Sequence, residues 1–64
     1  MTKRFHLIRV DDYEEGVVET TLYSSDNLEA MASVISFYSG QLKPNQHLEV
    51  RELLDDEMKL IKIV

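Results

Sequence analysis

The stretch LYSSDNLEAMASVISFY, residues Leu22 to Tyr38, is the part of the sequence that best indicates the fold. It starts as the end of a β-strand and continues as an amphipathic helix from about Asp26 to Ser39. Ser25 or Asp26 can cap the helix, and Asp26 with Glu29 three positions later resembles a capping box. A helix that follows a strand so closely is expected to fold back over the sheet that the strand belongs to.

The helix is expected to end at Gly40, which suits a left-handed C-terminal cap, and Pro44 prevents any continuation. Segments rich in β-branched residues or alternating in polarity predict two strands on each side of it. These strands are Phe5–Val10, Val17–Tyr23, His47–Leu53 and Met58–Val64. The hairpin loops between them are Asp11–Gly16, with Gly16 at positive φ, and Asp55–Glu57.

The element order is therefore ββαββ, which predicts an α+β fold. The simplest pairing is an antiparallel sheet in the order 2-1-3-4 with one helix packed on one face. Residues 1–64 are too few for more than one domain, and a chain of this size buries only about 60% of its unfolded surface. Oligomerisation is a common way for such small domains to gain stability.

The chain has a net charge of −5 and a pI of about 4.8, which disfavours direct binding to nucleic acid. It contains no cysteine, so a disulfide framework and thiolate chemistry are excluded. No apolar run approaches 18 residues, and no signal-like segment follows the basic pair near the start. These features predict a cytoplasmic protein that does not enter a membrane.

The helix carries unusually little charge on the side that should face water. Helical spacing places an apolar stripe toward the sheet, formed by Leu28, Met31, Ile35, Tyr38 and Leu42. The opposite strip holds one glutamate and two serines, and Phe37 lies well away from the stripe, with Val34 on its shoulder. Phe37 could simply pack on a loop, because lone exposed apolar residues are common. Alternatively, Phe37 and Val34 form a contact surface for a second copy or for another protein.

Acidic residues concentrate in the two predicted hairpin loops. The first loop carries Asp11, Asp12, Glu14 and Glu15 around Tyr13, and the second carries Asp55 and Asp56. Strands of about six to seven residues, at roughly 3.3 Å per residue, place the loops about 20–25 Å apart, at opposite ends of the sheet. Solvated turn chemistry explains these acids, but they would also attract a protein with a basic surface.

The sequence offers no pattern for catalysis, metal binding or cofactor binding. His6 and His47 lie on different strands without a histidine or cysteine partner at metal-ligand spacing. There is no G-x-S-x-G motif and no glycine-rich phosphate loop. Paired carboxylates could do acid–base work only in a cleft, and a chain of this length has little depth for one. We therefore expect no catalytic, cofactor-binding or metal-ligating residues.

A set of short motifs spread over about half of the chain suggests a resemblance: Leu22-Tyr23, Glu29-Ala30-Met31, Tyr38 and Glu49-Val50. In these motifs the chain resembles the small phage-encoded inhibitors of bacterial RNA polymerase. It implies a protein that acts on a host enzyme, in the host cytoplasm, through charged surface patches. Arg51 is the only arginine in the corresponding strand of this chain.

A second resemblance is compositional. The ending DDEMKLIKIV is similar to the phage inhibitors of uracil-DNA glycosylase, which dimerise and imitate DNA. Three functions are therefore expected in order: a non-enzymatic module that modulates a host protein, a DNA mimic directed at a DNA-binding enzyme, and a homo-oligomeric structural or regulatory protein. In the first, Phe37 and Tyr13 would supply affinity and the acidic loops would speed association.

Overall fold

The computed structural model describes residues 2–64, which form a four-stranded antiparallel sheet with one helical segment. The elements are β1 (Phe5–Tyr13), β2 (Gly16–Ser25), a 3-10 turn (Leu28–Ala30), α1 (Met31–Ser39), β3 (Gln46–Leu54) and β4 (Glu57–Ile63). The strand order is β2-β1-β3-β4. The predicted α+β fold, with ββαββ order and sheet order 2-1-3-4, is confirmed.

Strand β1 lies inside the sheet and pairs with β2 on one side and β3 on the other. Its side chains alternate between the two faces, so Leu7 points toward α1 and Ile8 points the opposite way. Leu7 belongs to a hydrophobic cluster whose buried members are Phe5, Leu7, Met31, Leu48 and Val50. Met31 is the residue of α1 that enters this cluster. The core therefore lies between the helix and the two central strands.

Two β-bulges adjust which side chains reach the core. In β2 the register shifts so that Leu22 is an extra residue opposite β1, and its side chain packs against the core cluster. In β4 the shift leaves Ile61 as the extra residue opposite β3. Ile61 then lies beside α1 on the helix-covered face. A bulge re-aims a side chain in this way because two residues face one on the neighbouring strand.

The helix begins later than predicted, and a different residue caps it. Asn27 accepts a hydrogen bond from the Glu29 backbone N–H at 3.0 Å, so the predicted caps are wrong. Asp26 instead accepts from the Arg4 backbone N–H at 3.0 Å, and Ser25 Oγ accepts from the Asn27 N–H. Asp26 therefore ties the segment before β1 to the loop before the helix.

The predicted left-handed cap at Gly40 is also wrong. Gly40 has φ of −73°, in the right-handed region, and its N–H donates to the Tyr38 carbonyl. The next residue, Gln41, also donates its N–H to the Tyr38 carbonyl, at 3.0 Å. The helix thus ends in a tight right-handed turn, which satisfies a terminal carbonyl without glycine's special conformation.

The first hairpin is tighter than predicted. Strand β1 continues to Tyr13, and the turn consists of Glu14 and Glu15 alone. Gly16 has φ of +140°, which confirms the predicted positive-φ glycine. Residues 11–13 were expected in a loop but lie in a strand, because β2 pairs with all three of them and β3 pairs with Asp11.

Asp11 is the clearest correction. It was expected in a solvated loop, but it is only 3% exposed. Its carboxylate accepts a hydrogen bond from Gln46 Nε2 at 2.6 Å and from Arg9 Nη2 at 3.3 Å. A buried charge is tolerated when it is paired and hydrogen-bonded in this way. Asp11 is therefore a structural residue that joins β1 to the start of β3.

Replacing Asp11 by alanine should lower the free energy of unfolding by about 1–3 kcal/mol, because Gln46 and Arg9 would lose a buried acceptor. Urea denaturation followed by circular dichroism measures the change. Asp12→Ala, at the neighbouring exposed position, is the control and should stay within about 0.5 kcal/mol of wild type. Equal effects at the two positions would contradict the structural role of Asp11.

The second hairpin turns through Asp55 and Asp56, and Glu57 begins β4 rather than completing the predicted turn. Asp55 and Asp56 have φ of 50° and 65°, and they are the non-glycine residues with positive φ among residues 2–64. Positive φ at both central positions is the pattern of a type I′ turn, whose twist matches that of the flanking strands. Aspartate tolerates this region at some cost, whereas glycine enters it freely.

Asp56→Gly should therefore stabilise the chain by about 0.5–1 kcal/mol and raise its melting temperature by a few degrees. Glu15→Gly is a matched control, since it also removes one acid from a hairpin turn but relieves no positive φ. That variant should be neutral or slightly destabilised. Thermal melts at one protein concentration compare the two, and a lower melting temperature for Asp56→Gly would argue against strain at this turn.

Candidate interaction surfaces

The exposed side of α1 is the first candidate surface. Thirteen consecutive residues, from Ala30 to Leu42, carry no charge, although 19 of the 64 residues in the chain are charged. Because Met31 anchors the helix in the core, Ser33, Ser36 and Phe37 project into solvent. We call these three residues the outer helix surface. Phe37 is 63% exposed, so the predicted orientation away from the sheet is confirmed.

The residues beside Phe37 hold it in place rather than cover it. The ring of Tyr38 meets the Phe37 ring edge to face, with 5.1 Å between centroids. Val34 was predicted to share the contact surface, and it lies half-buried against the core cluster. Tyr38 is half-buried against the same cluster. Phe37 is therefore the exposed aromatic of this surface, and the half-buried Tyr38 ring packs against it.

The acidic turns form the second candidate surface. The register places Glu14–Glu15 at one end of the sheet and Asp55–Asp56 at the other, as predicted. All four side chains are exposed, and so are Asp12 and Tyr13 at the end of β1. The two groups of carboxylates are thus separated by the length of the sheet and do not form one continuous patch.

Strand β4 forms a third candidate surface. It lies at the edge of the sheet, and every one of its seven residues is exposed. Large apolar side chains in and after this strand are more than a third exposed: Met58, Leu60, Ile61, Ile63 and Val64. Such an edge presents unpaired backbone N–H and C=O groups beside apolar side chains, which is the arrangement that attracts another strand.

A shallow apolar groove runs between the helical segment and β4. Its volume is about 170 Å³, and its lining is apolar apart from Lys62. Leu28, Met31, Ala32 and Ile35 form the helix side, and Val50, Ile61 and Lys62 form the sheet side. Alanine at position 32 leaves this gap, because a small side chain there cannot fill the space between helix and strand.

A charged cluster lies over the central strands on the sheet face opposite the helix, and the sequence pattern did not predict it. Arg51 reaches from β3 across β1 to Glu19 in β2, with Nη1 3.0 Å from Oε1. The same guanidinium donates through Nη2 to Glu49 at 2.7 Å, and His47 Nε2 lies 2.8 Å from the second Glu49 oxygen. Ile8 lies on this face beneath the bridge and is only 4% exposed. The cluster therefore shields an apolar residue that no helix covers.

The cluster changes the acidity of its members. The hydrogen bond from Arg51 lowers the pKa of Glu19, and hydrogen bonds from His47 and then Arg51 lower the pKa of Glu49. The two carboxylates in turn raise the pKa of Arg51. The signal was present in β3, where His47, Glu49 and Arg51 alternate onto one face, but the partner Glu19 belongs to another strand.

Glu19 and Glu49 ionise more readily in the folded chain, so the stability they contribute is present above their unfolded pKa of about 4.5 and is lost as pH falls below it. We expect the free energy of unfolding of wild type to exceed that of Arg51→Met above pH 4.5. This difference should shrink as pH falls below 4.5. Urea titrations from pH 7 to pH 3 measure it. Lys43→Met removes an exposed lysine and should show no comparable change in the difference.

The two histidines take part in local hydrogen bonds. His6 Nδ1 lies 2.8 Å from Ser24 Oγ, and its Nε2 lies 2.8 Å from the Lys3 carbonyl oxygen. His47 is held by Glu49, as described above. Across residues 2–64, no three histidine or carboxylate side chains gather closely enough to hold a metal ion. In that same part of the chain, no helix is long and apolar enough to cross a bilayer.

Comparison with protein-family models, with curated proteins and with solved structures gives no significant match to this chain. The resemblance to phage inhibitors of host enzymes therefore stays a prediction from the sequence.

Proposed function

We propose that this chain is a non-enzymatic protein-binding module that uses its outer helix surface to contact another protein. One observation carries the proposal: an exposed helix without a single charged residue, in a strongly charged chain, presents Phe37 to solvent. Solvent-facing helices normally carry lysine and glutamate. A surface that avoids them and displays an aromatic ring is typical of the centre of a protein interface.

The chemistry of this surface describes its partner. Ser33 and Ser36 are small enough to let another backbone approach closely, and Phe37 would fill an apolar pocket in the opposing protein. Burying one aromatic side chain stabilises an interface by about 2 kcal/mol or more. The partner is therefore expected to offer an apolar pocket without charges at its centre.

The net charge of −5 indicates which residues should surround that pocket on the partner. Exposed carboxylates at Asp12, Glu14, Glu15, Asp55 and Asp56 leave both ends of the sheet negative. They would speed encounter with a protein whose binding site is rimmed by lysine and arginine. Tyr13, exposed beside the first turn, is a second aromatic that such a rim could contact.

The proposed biological setting is a phage or prophage protein that modulates a host protein in the host cytoplasm. The resemblance to the inhibitors of RNA polymerase supports this setting, and so does the combination of small size and acidity. A nucleic-acid-binding enzyme would satisfy the requirement for a basic surface.

DNA mimicry by the acidic residues is less well supported than binding through Phe37. A DNA mimic needs many free carboxylates spaced along one surface. In this chain Asp11 is buried, Glu19 and Glu49 pair with Arg51, and Glu52 pairs with Arg4. The free carboxylates that remain lie mostly at opposite ends of the sheet.

The proposal is tested by capturing a partner from bacterial lysate on immobilised wild-type chain, purifying that partner and titrating it by calorimetry. Phe37→Ala should raise the dissociation constant roughly 10- to 100-fold, because it removes the anchor. The free energy of unfolding should change by less than about 1 kcal/mol, since the ring is exposed.

Val17→Ala is the matched control, because it trims an apolar side chain that is 59% exposed on the sheet face away from the helix. It should leave the dissociation constant unchanged. Changing Asp12, Asp55 and Asp56 together to asparagine should slow association and reduce its dependence on salt. Unchanged affinity for Phe37→Ala, or loss of binding only with the asparagine variant, would refute the helix-surface proposal and favour DNA mimicry.

A further inference from the structure

The structure points to a second function for strand β4, independent of the outer helix surface. We infer that β4 pairs with β4 of a second copy, so that two sheets join edge to edge into a two-fold symmetric dimer. Strand β4 is a sheet edge on which every residue is exposed, and its large apolar side chains keep more than a third of their surface in contact with solvent. Sheet edges of natural proteins are usually protected by charge, proline or a covering element, and of these β4 has only the charges of Glu57, Lys59 and Lys62.

The side chains of β4 divide between the two sheet faces. Pairing with β3 places Lys62 opposite the core residue Val50, so Lys62 lies on the helix side of the sheet. Glu57 and Lys59 lie on the same side. Residues of a strand alternate between the faces, and the extra residue Ile61 shifts this alternation by one, so that Lys59 and Lys62 share a face. Met58 and Leu60 lie on the open side, together with Ile63.

One antiparallel register makes these side chains complementary. If the two-fold axis passes through Lys59, then Glu57 of each copy lies opposite Lys62 of the other, on the helix side. On the open side, Met58 of each copy lies opposite Leu60 of the other. The bulged residue Ile61, on the helix-covered face, has no partner in the second copy. Directly opposite residues in antiparallel strands are close enough to interact, so the register contains two ion pairs and two apolar pairs.

Neighbouring registers are less favourable. Moving the axis to Leu60 would set Lys59 opposite Lys62 twice, and like charges directly opposite are destabilising. Moving it to Met58 would leave only three residues of each strand paired. In the preferred register the one unfavourable contact is Lys59 against its own copy on the axis. Each lysine there has Glu52 of its own chain as its strand partner.

The symmetry also decides where the helices lie. A two-fold axis perpendicular to the sheet leaves both helices on the same face of the joined eight strands. The Arg51 cluster of each copy then lies on the opposite face. The dimer would display two outer helix surfaces side by side, without using either of them in its own interface.

Sedimentation equilibrium across a concentration series tests the dimer, with the monomer at 7.5 kDa and the expected species at twice that mass. Glu57→Lys and Lys62→Glu should each raise the dimer dissociation constant roughly tenfold, because two attractive pairs become repulsive. The double variant E57K/K62E exchanges the charges and should restore dimerisation. Lys59→Met should strengthen it by removing the repulsion on the axis.

Glu14→Lys is the control, since it reverses one charge at the opposite end of the sheet and should leave the dissociation constant unchanged. Circular dichroism confirms that each variant is folded before its mass is compared. In a mixed-label sample, an isotope-filtered contact between the methyl groups of Met58 in one copy and Leu60 in the other would support the register.

A folded chain that stays monomeric at millimolar concentration would overturn the inference. So would a dimer in which the double variant fails to recover what the single reversals lose, because its register must then be different. Neither result bears on the proposed function, which depends on Phe37 and on a different protein. Conversely, dimerisation that Phe37→Ala leaves unchanged would support the separation of the two surfaces.

Discussion

The structure depends on the burial of β1 on both of its faces. Leu7 packs under the helix on one side, and Ile8 lies under the Arg51–Glu19 bridge on the other. A small antiparallel sheet with one helix would normally leave the second face of its central strand in water. Here long charged side chains perform the covering role of a second layer. Their aliphatic stems exclude water from Ile8 while their charged ends pair above it.

This use of charge explains how the surface is divided. The arginine and two glutamates on the open face are committed to one another, and Asp11 is committed to Arg9 and Gln46. The acids left free are mainly those in the two hairpin turns. The exterior of α1 carries no charge, and the edge strand β4 exposes apolar side chains on a separate part of the molecule. The paired charges thus cover apolar residues on the open face of the sheet, while the surfaces at α1 and β4 stay exposed.

Asp11 and Asp26 both differ from their predicted roles, and for the same physical reason. Asp11 was assigned to a loop because aspartate disfavours strands and its neighbours are acidic, and only the pairing with β3 shows that its carboxylate has buried donors. Aspartate is a common helix cap, but the Asp26 carboxylate accepts a hydrogen bond from the backbone N–H of Arg4, 22 residues away. In each case the side chain forms a hydrogen bond with a residue distant in sequence and not with the nearby backbone groups that aspartate often bonds.

The element order, the sheet order and the direction of Phe37 could all be predicted from the sequence, because each follows from local periodicity and short connections. Hydrophobic spacing places Met31 toward the sheet, and the helical repeat then turns Phe37 away from it. The bulges at Leu22 and Ile61 and the bridge from Arg51 to Glu19 could not be predicted in this way. These features depend on which strands are neighbours and in what register, and register is set by the sum of contacts across the sheet rather than by any one segment.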